Sequence, residues 1–214
     1  AIYPTPVIGL IGLIEDADKR CTARFKDAGD IIVLVSGTRV GEVGGRNTPD
    51  QLAKEGVCAL ESLGGSEYLN TIHGLAVGTP PVLDLDKEKR VHEVVIRAIG
   101  NGLIKSAHDC ADGGLAIALA ECCIMGKVGA DVSLTANCAP AAALFAETQS
   151  RIVVSTTADN LGSLREIIDE LRVESTILGK VGGDTLAIGI NDVDVIGVAV
   201  ADLDSTWRNA IGDK

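Results

Sequence analysis

Aromatic side chains are nearly missing from this sequence: 214 residues hold two Phe, two Tyr and one Trp, 2% in all. A surface that grips bases by stacking needs more rings than that, so a single-strand nucleic-acid binder is excluded as a class. Positive charge is also short. The 19 Lys and Arg against 30 Asp and Glu leave a formal net charge of -11, with no local basic cluster to make a phosphate-backbone footprint. The six cysteines (Cys21, Cys58, Cys110, Cys122, Cys123 and Cys138) contain no Cys-x-x-Cys pair, and most sit in apolar or helical stretches. That spacing fits neither a zinc site nor a disulfide framework, and predicts reduced thiols. No run reaches the roughly 18 apolar residues of a membrane span, and no secretory leader pattern is visible, so the expected setting is cytoplasmic, without membrane or nucleic-acid partners.

What is present is a 46% hydrophobic fraction resting on aliphatic residues and alanine, in a length that suits one domain, or one with an appendage. Residues 7–14 read as a buried strand that wants neighbours on both sides. A core strand so close to the start predicts a piece of a longer protein, with 1–14 the remnant of a preceding domain and 15–214 a second one. Such an unpaired edge is expected to drive self-association or to stay disordered. Residues 15–26 are polar loop or edge, and 31–35 are a central strand. Residues 36–47 carry Gly37, Gly41, Gly44 and Gly45 beside Arg39 and Arg46, a flexible loop by the plain reading and a phosphate-gripping loop by the alternative. Thr48 and Pro49 start a helix. Gly64 and Gly65 precede another helical segment, and Asp84 or Asp86 caps a well-patterned helix that ends at residues 100–102.

Residues 103–107 predict a strand that runs into His108, Asp109 and Asp112. Gly113 and Gly114 then open an alanine-rich helix to about Gly126. Unpaired N–H groups and the positive end of the helix dipole suit phosphate there, and the adjoining carboxylates suit Mg2+. Beyond it the pattern gives a strand at 131–134, a short helix at 140–146, a strand at 151–156 and a helix at 160–171. Three strands follow, at 175–181, 185–190 and 193–200, arranged as an antiparallel meander, and a helix at 204–211 closes the chain. The expected fold is α+β, a mixed sheet packed with helices, partly ferredoxin-like.

Four ordered motifs carry a resemblance: residues 2–9; residues 63–68 around Gly64, Gly65, Ser66 and Glu67; His108, Asp109, Asp112, Gly113 and Gly114 with residues 118–121; and Glu147, Thr148, Gln149, Ser150 and Arg151. Together they resemble the C-terminal part of the large subunit of the phosphoribosylformylglycinamidine synthases of the small bacterial kind. The resemblance implies a C-terminal domain like that of aminoimidazole ribonucleotide synthetase, flanking a central barrel. It also implies a place in an ATP-dependent ligase of de novo purine biosynthesis, which converts formylglycinamide ribonucleotide and glutamine-derived ammonia to the amidine. The family's catalytic histidines and main Mg-ATP ligands lie upstream, so the resemblance assigns no catalytic residue to this chain, which is not expected to turn over alone.

By pseudo-symmetry with the family's first half, Asp109 is a metal or nucleotide contact of an auxiliary site and Gln149 a polar contact. His108, Asp112, Gly113, Gly114 and Glu147 complete that candidate set. ATP and Mg2+ are the implied cofactors, and the rest of the synthase chain, a glutaminase subunit and a small accessory subunit are the implied partners. Thr148 replaces the family's serine, and the extra segment around 39–60 has no assigned role. Plain alternatives stand beside each residue: His108 satisfying a turn, Asp112 capping the helix, Gly113 and Gly114 allowing helix and strand to pack, and Glu147 and Gln149 forming a structural bridge. The alternatives for the whole chain are a non-catalytic structural domain, or the matching domain of another ATP-dependent enzyme of the superfamily.

Overall fold

A computed structural model describes residues 7–14, 16–37 and 63–211. Residues 1–6, the glycine-rich stretch after Gly37, the Thr48 helix start and the extra segment at 39–60 lie outside the described residues.

The architecture is built around β1 (Ile31–Ser36), whose residues from Ile32 onward are all buried. A continuous apolar run like this needs cover on both faces and partners on both edges, and β1 has both. It pairs antiparallel with β4 (Arg151–Thr156) on one side and with β5 (Glu174–Val181) on the other. With β2 (Ser106–Asp109), β3 (Ala130–Leu134), β6 (Thr185–Ile190) and β7 (Val193–Ala199), the sheet has seven strands in the order β2-β4-β1-β5-β3-β6-β7.

One face of the sheet is covered by two amphipathic helices. In chain order, α1 is Glu67–His73 and α2 is Leu85–Gly100; α3 (Gly114–Gly126), α4 (Pro140–Phe145), α5 (Leu161–Glu170) and α6 (Val200–Asn209) follow. Helix α2 turns Val91, Val94, Val95 and Ala98 inward, and α5 turns Leu164, Ile167 and Ile168. Both stripes follow the three-to-four spacing of one helix face, and they pack on Val33, Val35 and Val154. Because β4 and β5 are both antiparallel to β1, the β4-α5-β5 unit is a split β-α-β, the expected ferredoxin-like part. On the other face α3 buries residues nearly all round its circumference, as a helix enclosed by the core must.

Four sequence expectations are corrected. The last strands do not form a simple meander: β6 and β7 pair antiparallel, but β3 lies between β5 and β6, parallel to β6 and antiparallel to β5. Gly129 makes this possible. Its N–H donates to Gly183 O at 2.8 Å, and its carbonyl accepts the N–H of Gly182 at 2.8 Å. A Cβ there would stand 2.3 Å from Thr185 O, so only glycine lets the incoming strand pass through the mouth of the turn. At the start, residues 7–14 form no strand, and Val7, Ile8, Leu10, Ile11, Leu13 and Ile14 are exposed; an extended segment without a neighbour has nothing to hold it. The strand expected at 103–107 is displaced to Ser106–Asp109, because its register is fixed by Ser106 opposite Ser155, whose hydroxyls meet at 2.6 Å in the core. Chain direction also changes earlier than expected near the end, with Val200 already in α6.

Candidate functional site

His108 and Asp109 end β2 on the edge of the sheet, and Cys110 N–H donates to Arg151 O at 2.9 Å as the chain leaves it. The His108 ring is largely enclosed and spoken for within the protein. Its Nδ1 lies 2.8 Å from Asp109 O, and its Nε2 lies 2.9 Å from Glu121 Oε2 on α3. The carboxylate of Asp109, 3.5 Å from Nδ1, is 73% exposed. His108 therefore ties the strand end to α3, while Asp109 faces water.

Gly113 and Gly114 hold consecutive positive φ values of 76° and 67°. This left-handed pair turns the chain directly into α3, and Gly114 is where close approach matters most. A Cβ at that position would lie 2.6 Å from Ala146 O and 2.9 Å from Leu144 O. The helix cap is Gly113, with no side-chain cap, so Asp112 is not the cap that its position before the glycines implies. Its side chain is exposed and makes no hydrogen bond or ion pair among the described residues.

The backbone N–H of the cap residue itself is taken by Glu147. Its Oε1 accepts Gly113 N–H at 2.8 Å and, from the other side, Glu67 N–H at 2.9 Å. One carboxylate oxygen thus joins the first turns of α1 and α3, at the positive ends of both helices. Helix α1 is otherwise capped by Ser66, whose hydroxyl accepts Leu69 N–H at 3.4 Å. The preceding glycines have a packing role: a Cβ on Gly64 would stand 2.3 Å from Thr79 O, so the 77–79 loop crosses directly over them. A cavity of about 320 Å³ opens beside α1 between Ser66, Glu67, Asn70 and Val77.

Arg151 closes the fourth motif and starts β4, and the sequence gives it no role of its own, yet it organises this corner. Its guanidinium is buried, donating from Nε to Thr148 O at 3.1 Å and from Nη2 to Ala146 O. Burial holds its pKa below the ordinary arginine value. With its charge spent on carbonyls, it leaves the exposed carboxylates of Asp109 and Asp112 without a cationic partner from this side chain. The neighbouring thiols are inert: burial pushes Cys110 up to about 11 and Cys123 up to about 12. Sequence reasoning placed Gln149 in the set, and it stands exposed, with no hydrogen bond among the described residues.

Contacts thus join Gly113, Gly114 and the segment around Glu147, while Asp109, Asp112 and Gln149 are exposed and His108 is turned toward α3. No three His, Cys, Asp or Glu side chains converge as a metal set among the described residues. Asp109 and Asp112 are exposed carboxylates, and Mg2+ keeps its waters but needs carboxylates or phosphates to hold it. No helix of the described residues is long and apolar enough to cross a membrane.

The family model described as AIR synthase related protein, C-terminal domain, matches residues 27–191. The chain is 38% identical over 211 residues to phosphoribosylformylglycinamidine synthase subunit PurL of Moorella thermoacetica, covering 99% of this chain and 26% of that protein. It is 43% identical over 220 residues to the same subunit of Anaeromyxobacter sp. (strain Fw109-5), covering 98% of this chain and 25% of that one. The chain therefore spans about a quarter of the length of these curated relatives. Among solved structures, Thermotoga maritima PurL complexed with FGAR matches with a TM-score of 0.66 at 20% identity, over 88% of this chain and 30% of that chain. The same protein complexed with ATP matches with a TM-score of 0.64 at 18% identity, over 88% and 28%. At such identities the likeness shows the fold alone, a mixed α+β sheet of this kind.

Proposed function

The chain belongs to the family of AIR synthase related protein C-terminal domains, and from that membership we propose that it is the C-terminal flanking domain of a phosphoribosylformylglycinamidine synthase. The observation that carries the proposal is end-to-end identity of 38% and 43% with two PurL subunits, each along about a quarter of its length. The parent enzyme is an ATP-dependent ligase of purine biosynthesis. ATP phosphorylates the glycinamide carbonyl oxygen of formylglycinamide ribonucleotide, and ammonia released from glutamine displaces that oxygen as phosphate to give the amidine, leaving the formyl group in place.

This domain supplies no catalytic residue to that reaction. Residues 1–14 belong to the end of the preceding barrel-forming domain, which accounts for six apolar side chains of residues 7–14 standing in water. Asp109 and Gln149, with Asp112 and the glycine corner, face an auxiliary nucleotide pocket that the barrel completes. In this reading Mg2+ arrives with the nucleotide, and Asp109 is its candidate contact from this chain. T. maritima PurL has been seen complexed with ATP, ADP and AMPPCP, and in a PurLQS assembly. By analogy the partners are the rest of the synthase chain, a glutaminase subunit and a small accessory subunit, in the cytoplasm.

A purely structural role is the second reading, and the Glu147 contact favours it, since the helix N-terminus that would attract phosphate already holds a carboxylate. Asp109→Asn and Asp112→Asn in the full-length synthase separate the two. Lost nucleotide occupancy with unchanged stability supports the pocket; unchanged occupancy supports the scaffold. Micromolar binding of Mg-ADP by this chain alone would overturn the requirement for the barrel. The parent reaction itself is tested by ATP- and ammonia-dependent consumption of formylglycinamide ribonucleotide by the full polypeptide, with none by this chain.

A further inference from the structure

The six residues from Ala146 to Arg151 are anchored at every position but one. Arg151 holds the carbonyls of Ala146 and Thr148, Glu147 holds two helix N-termini, and Arg151 O accepts Cys110 N–H. Ser150 adopts a left-handed φ of 59°, an unfavourable conformation for a residue with a Cβ. Two contacts keep it there. Its hydroxyl donates to Glu88 Oε2, from α2, and its carbonyl accepts Gly37 N–H at 2.8 Å. Glu88 is itself oriented by His92, whose Nε2 is 2.8 Å from Oε1. The remaining residue, Gln149, is exposed and makes no hydrogen bond among the described residues.

A turn into β4 needs none of this, because glycine would take the same φ without cost and without a carboxylate reaching over from another helix. Strain kept in place by surrounding contacts is a feature of binding strips more than of plain connections. We propose that Glu88 is a positioning residue: by fixing Ser150 it presents the exposed Gln149 carboxamide to a ligand. This rests on the auxiliary-pocket reading of Gln149 given above. The ligand group it would meet is a neutral one with both donor and acceptor, such as a sugar hydroxyl or an amide. A carboxamide offers both functions, and the exposed Asp109 and Asp112 disfavour a bare phosphate.

Hydrogen exchange on the ligand-free chain tests the mechanical step. Glu88→Ala should raise exchange at Gly37, whose N–H donates to Ser150 O, at least tenfold while Val153 and Val154 keep their protection, and Glu88→Gln, which retains an acceptor oxygen, should restore it to within threefold. Exchange changed less than twofold, or raised equally through β4, would overturn the proposal. Mg-ADP titration of the full-length synthase tests the purpose. Gln149→Ala and Glu88→Ala should each weaken binding at least fivefold, and the double variant should be no weaker than Gln149→Ala. Wild-type affinity in Glu88→Ala rejects the positioning role. If instead the wild type does not bind Mg-ADP in this half, the pocket reading fails, and with it the purpose assigned to Glu88, whatever the exchange data give.

Discussion

The Oε1 atom of Glu147 lies 2.8 Å from the backbone nitrogen of Gly113, at the entry to α3. The same oxygen reaches Glu67 N–H. A helix N-terminus attracts anions because its first N–H groups lack partners and the dipole is positive there. In this domain the anion is part of the chain, and it doubles as the joint between α1 and α3.

Removing that joint should cost stability even though Glu147 is not in the core. Glu147→Ala strips a charged acceptor from two backbone donors and is expected to destabilise by about 2–3 kcal/mol, while Glu147→Gln, which retains a neutral acceptor, loses about 1 kcal/mol. Urea denaturation midpoints give both numbers. Equal losses for Ala and Gln would mean that the hydrogen bonds are not what the carboxylate contributes.

The two corner glycines should not tolerate alanine equally. Both have positive φ, which costs about 1–2 kcal/mol for any residue with a Cβ. At Gly113 the new methyl meets the side chain of Ile117, 40% exposed, which has room to turn aside. At Gly114 it meets the carbonyls of Ala146 and Leu144, and backbone cannot turn aside. Gly114→Ala is expected to cost at least about 2 kcal/mol more than Gly113→Ala by thermal denaturation, and the reverse order would contradict the packing described.

A lysine bridge contributes to stability at both ends of the pH range. Lys105 Nζ lies 2.7 Å from Asp27 Oδ2 and 2.8 Å from Asp30 Oδ1; Asp30 is buried, and its second oxygen has no partner among the described residues. Hydrogen bonding to Lys105 holds the Asp27 pKa below its ordinary 3.8, and hydrogen bonds to Asp27 and Asp30 raise that of Lys105 above 10.5. The depressed carboxylate contributes stability above pH 3.8, lost as pH falls through its folded value. The raised lysine contributes stability below pH 10.5, lost as pH rises through its folded value. Lys105→Met should flatten both limbs and, by stranding Asp30, cost about 3 kcal/mol at neutral pH. Stability profiles of wild type and variant that run parallel from pH 3 to 11 would exclude the bridge as their cause.

Much of this is legible in the sequence. The run from Ile31 to Val35 could only be a central strand, the spacing in α2 and α5 named the faces they bury, and the Gly113-Gly114 corner located the start of α3. The candidate site was legible as a set but not as roles. His108 is chemically a ligand or base by type, and only the proximity of Glu121, a turn and more along α3, made it a tie between elements. Nothing local marks Glu67 N–H as the partner of a side chain 80 residues away, or Glu88 as the partner of Ser150.

The sequence alone determined what short-range chemistry controls: most of the strands and helices between Ile31 and Ile190, where glycine must bend the chain, and, through ordered motifs, the family. Tertiary structure decided which strands neighbour one another and which donors each carboxylate meets. The passage of β3 between β5 and β6 depends on Gly129 meeting Gly182 and Gly183 across more than 50 residues, and such contacts form only once the whole sheet is assembled. The glycine corner from Ser106 to Glu121 is specified by its own residues, but whether it receives an anion from solution or from Glu147 is settled by a loop that the fold brings to it.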